Sequence, residues 1–269
     1  QPNAMGGREV GALATTLAAH MDYDNDSNRQ LVAEFWKSNP ISSKRGYTAV
    51  EMFERAAQGE IKVLWIMGTN PLVSLPNLSV VKKALEVCPL VIVSDCFENS
   101  DTLSYADVQL PARGWSEKSG TVSNSERCIS RQRQFLPPLG EAKADWQIIC
   151  EVAQRMSFEE AFAYQHESEI FKEHAALTGY KNEGKRFLDI SGCADQSSQE
   201  YEEFSPTRWP ILKEPEIKER KQAFVNGRFY TKEGKASLVT APIPKKNLVS
   251  LGEDEFVLNT GRFRDQWHT

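Results

Sequence analysis

Cysteine pairs are missing from this sequence. None of its five cysteines (Cys88, Cys96, Cys128, Cys150, Cys193) stands in a C-x-x-C pair or has a histidine at metal spacing. That excludes a zinc knot or cluster motif built from these residues, so no metal ligand is assigned. An odd, scattered set reads as reduced, structural thiols in a cytoplasmic protein. Long apolar runs are missing too. Nothing approaches the ~20 residues of a membrane helix, so no membrane partner is expected. The opening "QPNAMGGREV" has neither a basic start nor an apolar core, which excludes a signal peptide. Basic charge is in deficit, with 32 Lys and Arg against 37 Asp and Glu, and a net charge of −5 argues against a nucleic-acid surface. Neither G-x-G-x-x-G nor G-x-x-x-x-G-K-[ST] occurs. No Ser–His–Asp order stands out, and His20, His166 and His174 read as exposed helix residues.

What is present is an ordinary globular composition, 40% hydrophobic and 26% charged over 269 residues. That is enough for one large domain or two small ones. The first 60 residues read as helical. "REVGALATTLAAH" places Val10, Leu13 and Leu17 on one face, and "NRQLVAEFWKS" repeats the pattern behind Ser27/Asn28 as a cap. "TAVEMFERAAQGE" opens with Thr48 and Glu51 at capping-box spacing. The period then changes. "KVLWIM" (62–67), the helical "NLSVVKKALEV", "PLVIVSD" (89–95) and "DVQLP" (107–111) predict a parallel sheet with crossover helices. "WQIICEVAQRM" predicts a further helix with Trp146, Ile149 and Val152/Ala153 inward. "SEIFKEHAALTGY" and "SQEYEEF" predict two more, before a linker from "SPTRWP" onward. Asn226-Gly227 marks a hairpin, and "EFVLNTGR" one more strand.

In open α/β sheets, ligands sit beyond the carboxyl ends of the strands. Two such ends carry suitable residues. Gly68-Thr69-Asn70-Pro71 offers a hydroxyl, an amide and free backbone N–H groups, and Ser94-Asp95 offers a carboxylate for ribose hydroxyls or a guanine edge. Turn and cap roles explain the same residues equally well. Arg8 lies behind two glycines at an expected helix start, where a guanidinium and a helix dipole together suit a planar oxyanion. The alternative is a helix-surface arginine. "WSEKSGTVSNSERCISRQRQ" (115–134) carries Lys118, Arg127, Arg131 and Arg133, either to wrap phosphates or to form a solvated ribbon. The terminal "TGRFRDQWHT", with arginine, histidine and threonine beside a glycine, makes a dense phosphate or pterin cradle.

Taken in order, "QPNAMGGREVGALA", "GTNPLVSLPN", "VSDCFENSDTLSYADVQLPARGWSEKSGTVSNSER", "GEAKADWQI", "FVNGRFYTKEGKA" and "LNTGRFRDQWHT" resemble the molybdopterin oxidoreductase family over the whole chain. "RDQWHT" and "FENSDT" resemble its bacterial assimilatory nitrate-reducing branch. The resemblance implies an α/β fold: a Rossmann-like parallel sheet flanked by helices. It divides the chain into a cofactor-binding domain over 1–157, a helical segment and linker over 158–222, and the first strands of a C-terminal β-barrel over 223–269. It implies bis-molybdopterin guanine dinucleotide with molybdenum, and a 4Fe–4S cluster held by residues outside this chain. Cofactor contacts carry over to Thr69, Asn70, Ser94, Asp95, Lys118, Asp145, Thr260, Gly261, Arg262, Trp267, His268 and Thr269. Arg8 carries over as the catalytic residue that holds nitrate. An electron-donor protein is the implied partner. Gln1 and the abrupt ending read as an internal segment, expected to be inactive and free of molybdenum alone. A formate dehydrogenase segment, or a non-catalytic nucleotide-binding module, are the alternatives.

Overall fold

The computed structural model describes residues 3–213 and, beyond them, 224, 227, 229–231, 233–241, 252 and 254–258. The first helix is shorter than expected. α1 spans Ala4–Glu9 and ends because Gly11 takes φ +78°, where a Cβ would lie 2.5 Å from the backbone of Leu17 and Ala18. In place of a helix to His20, the chain folds back as β1 (Thr16–Leu17) and β2 (Met21–Asp22), paired antiparallel around a tight turn. Val10 and Leu13 are exposed, so the anticipated helical stripe does not form.

α2 spans Asp26–Trp36, and Asn25 rather than Ser27 or Asn28 caps it, accepting from the Ser27 and Asn28 amides. α3 spans Ala49–Ala57 with the expected Thr48–Glu51 capping box. Thr48→Ala should therefore lower stability by about 1 kcal/mol, read as a shifted urea midpoint; an unchanged midpoint would show that tertiary packing alone holds α3.

The central unit follows the predicted period. β3 (Leu64–Met67) leads through α4 (Pro71–Ser74) and α5 (Leu78–Val87) to β4 (Val91–Asp95). A 3-10 turn at Asp101–Tyr105 precedes β5 (Val108–Pro111). The three strands are parallel in the order β3-β4-β5. α3 and α5 close over the sheet, burying Phe53, Val81 and Leu85 against Leu64, Ile66, Val91 and Val93.

β6 (Gly120–Ser123) and β7 (Cys128–Gln132) form an antiparallel ribbon, followed by α6 (Asp145–Arg155), α7 (Glu167–Gly179), α8 (Ser198–Glu202) and β8 (Thr207–Arg208), which pairs with β7. α6 buries Ile148 and Cys150, while Ile149 faces outward. The helix is rotated from the expected face because Ala144 and Lys143 tie its start to the sheet edge. The linker expected from Ser205 begins later. Trp209 is buried and joins Phe171, Tyr201, Ile190 and Ile129 in a second core that also receives Met5 of α1. Residues beyond 157 thus pack on the ribbon and on α1.

Asn226 and residues 259–269 lie outside the described residues. No strand occurs after Arg208 among those described, and Phe256–Leu258 are exposed without a ladder. A strand needs a hydrogen-bonded neighbour, and none is present there. No helix among the described residues is long and apolar enough to cross a membrane.

Candidate binding site at the ends of the parallel strands

Three strand ends and one helix start meet at one edge. Gly68 follows β3 with φ +58°, a left-handed turn that glycine adopts freely. Its amide donates to Ser94 O at 2.9 Å, and this brings Thr69 and Asn70 beside the end of β4. After β5, Ala112 donates to Asp95 O at 2.9 Å and bridges to Lys143 in parallel. That bridge extends the sheet edge and places Asp145 as the first residue of α6. A cavity of about 560 Å³ opens at this edge, lined by Thr69, Asn70, Asp95, Cys96, Phe97 and Asp101 among others.

Asn70 is pinned at both ends of its amide: Nδ2 donates to Asp101 Oδ2 at 3.0 Å, and Oδ1 accepts from Thr102 Oγ1 at 2.7 Å. Asp95 Oδ1 accepts from the Phe97 amide at 3.2 Å, and the carboxylate has no salt-bridge partner among the described residues. Lys118 Nζ donates to Asp145 Oδ2 at 2.6 Å, with both side chains partly exposed. The exposed Cys96 thiol is pushed up by burial and by the Asp95 charge, and the charges of Lys118 and Asp145 also reach it. Asn70, Asp95, Lys118 and Asp145 therefore surround one region. Thr69 is exposed on its rim.

Ser94 stands apart. It is fully buried, and its Oγ accepts from Trp65 Nε1 at 2.9 Å inside the sheet. Arg8 does not line this cavity. It occupies the last turn of α1, at the negative end of the dipole, so the expected help from a helix N-terminus is absent. The arginines of residues 115–134 also face elsewhere: Arg131 pairs with Glu202, Arg133 donates to Glu202 O, and Arg127 stacks over Phe187 and Trp209. Only Lys118 of that stretch serves the strand ends. Thr260, Gly261, Arg262, Trp267, His268 and Thr269 lie outside the described residues. His166, Glu167 and Glu202 bring ligand atoms within 4.8 Å of one another, but Arg131 already neutralises that acidic pair. Sequence reasoning passed over Asp101 and Thr102, because a 3-10 turn between strands carries no periodic signal.

Residues 3–155 match the family model described as molybdopterin oxidoreductase. The chain belongs to the molybdopterin oxidoreductase family. A nitrate reductase of Klebsiella oxytoca is 50% identical over 273 residues, covering 100% of this chain and 30% of its own length. The assimilatory nitrate reductase catalytic subunit of Bacillus subtilis is 38% identical over 174 residues, 64% of this chain and 24% of its own. An F420-dependent formate dehydrogenase subunit alpha of Methanocaldococcus jannaschii is 30% identical over 272 residues, 100% of this chain and 37% of its own. The chain thus spans about a third of the length of such relatives.

Membership in the molybdopterin oxidoreductases implies a molybdenum–pterin cofactor. The donor chemistry at the strand ends fits the nucleotide part of such a group. Asp95, Asp101 and the amide of Asn70 accept from or donate to hydroxyls and base edges, and Lys118 adds one cation for a phosphate oxygen. The buried Ser94 hydroxyl has no access to it.

Proposed function

We propose that this chain supplies nucleotide-binding loops to a bis-molybdopterin guanine dinucleotide site in a cytoplasmic nitrate reductase of the assimilatory type. The observation that carries this reading is the convergence of Asn70, Asp95, Lys118 and Asp145 at one carboxyl edge of the sheet. It is supported by 50% identity to a nitrate reductase against 30% to a formate dehydrogenase subunit.

Bound, the molybdenum centre supplies two-electron oxygen-atom transfer, in which nitrate, two protons and two electrons become nitrite and water. The electrons arrive from a donor protein through a 4Fe–4S cluster, for which this chain offers no cysteine pattern. The chain's own residues bind and orient. Asp95 takes ribose hydroxyls or a base N–H pair, Thr69 and Asn70 contact the sugar–phosphate, and Lys118 is shared between Asp145 and the cofactor. Ser94 contributes through its backbone, and Thr260–Thr269 close over the pterin at the start of a C-terminal β-barrel. Arg8, exposed at the end of α1, holds the nitrate anion by charge and planar hydrogen bonding. Formate is also a small anion, and the formate dehydrogenase likeness keeps that reading in second place.

The polypeptide containing this chain, purified with molybdenum, is expected to oxidise a reduced donor with nitrate and release nitrite, and to leave formate untouched. Lys118→Ala should lower retained molybdenum about tenfold or more, the loss of one charge-assisted hydrogen bond. Formate-dependent reduction of an acceptor, with no nitrite formed from nitrate, would overturn the assignment.

A further inference from the structure

The amide of Asn70 is held from two sides by one short segment. Thr102, fully buried, points its hydroxyl at Asn70 Oδ1 at 2.7 Å. Asp101, its neighbour, receives Asn70 Nδ2 at 3.0 Å. These two residues open the 3-10 turn between β4 and β5, whereas Asn70 follows β3. The clamp therefore ties loops from two strands across the wall of the cavity.

Its geometry fixes which way the amide points. A threonine hydroxyl can serve either amide group, but an Asp101 carboxylate accepts only N–H. With Nδ2 committed to Asp101, Oδ1 must face Thr102. One Nδ2 hydrogen remains for a ligand, and rotating the amide by 180° would set its oxygen against the carboxylate. We infer that Thr102 and Asp101 are positioning residues that hold Asn70 as a hydrogen-bond donor toward an oxygen acceptor of the bound nucleotide. Neither residue needs to touch the ligand. A pinned amide loses little further freedom on binding, so the contact is made at low entropic cost. This inference rests on the nucleotide reading proposed above.

The test uses the full chain and guanosine 5′-diphosphate as the probe, with the Asn70 side-chain amide followed by ¹⁵N correlation spectra. In the wild type, two distinct Nδ2 proton signals should be seen that shift on adding the nucleotide. Thr102→Val keeps the shape and removes the donor. It should bring the two signals toward those of a free amide and weaken binding about tenfold, with an unchanged circular dichroism spectrum. Thr102→Ser restores the hydroxyl and should recover affinity to within about threefold; it also stands in should the valine variant fail to fold. Equal affinity and unchanged Asn70 signals in Thr102→Val would overturn the positioning role alone. A wild-type chain in which no signal moves with nucleotide would overturn the nucleotide reading, and the inference with it.

Discussion

Lowering the pH from 6.5 to 4 is expected to strip about 3 kcal/mol from the stability of this protein through a single imidazole, His174. Its Nε2 is enclosed without a hydrogen-bond partner, at a small cavity of about 130 Å³ between α1, β6 and α7. Burial, and then the nearby His20, lower its pKa from 6.5 to about 4. The unfolded chain takes up a proton as the pH falls below 6.5, and the folded chain does not until about 4. Stability is thus complete above 6.5 and is lost through that window. His20 shifts in the same direction, from burial and the Arg8 charge.

His174→Phe keeps the volume and removes the titration, so the variant should lose much less stability over the same interval. Urea unfolding of both proteins at pH 7, 5.5 and 4 checks this, together with the imidazole titration by NMR. A His174 that titrates near 6.5, or parallel stability curves for the two proteins, would refute it. The finding also corrects the expectation of an exposed helical histidine. His174 does lie on a helix, but its ring is covered by residues distant in sequence, including Asn3, Ser123 and Ile190.

Arg131→Ala should cost about 3 kcal/mol or more, comparable to breaking other buried pairs. The Arg131 side chain is 1% exposed. Its Nη1 donates to Gly120 O at 2.7 Å, and Nη2 reaches both oxygens of Glu202 at 2.9 Å. The guanidinium also lies 3.9 Å from the Tyr201 ring centre, a geometry that adds cation–π attraction. Alanine leaves Glu167 and Glu202 facing each other without their cation, and detaches α8 from the ribbon. Lysine keeps the charge but not the planar stack, so it should recover only part of the loss. A thermal melt is expected to fall by roughly 6–12 °C for a chain of this size. A shift of under ~2 °C would show that the apolar contacts of Phe171, Phe204 and Trp209 hold the segment unaided.

The parts of the fold that were legible in the sequence are those whose cause lies within a few residues. Thr48 and Glu51 satisfy each other's amides three positions apart, and "KVLWIM" and "PLVIVSD" carry the continuous apolar pattern of buried parallel strands. The same local logic failed at residues 8–20. The apolar spacing there is helical, but Gly11 must turn left-handed so that the backbone can pass close to Leu17 and Ala18. Periodicity records which residues are apolar, not whether the chain has room to continue.

By itself the sequence determined the β-strand–helix–β-strand unit, its caps, and the ordered motifs that mark the family. Tertiary structure alone decided what those residues face. Glu9 is buried because Trp209, 200 positions away, donates to it. Arg131 is spent on Glu202 rather than on phosphate, and Asp145 reaches the strand ends because Lys143 bridges to Ala112. Propensity and capping are short-range and can be read from neighbours in the chain. Burial, pairing and a shifted pKa depend on segments brought together only when the whole chain folds.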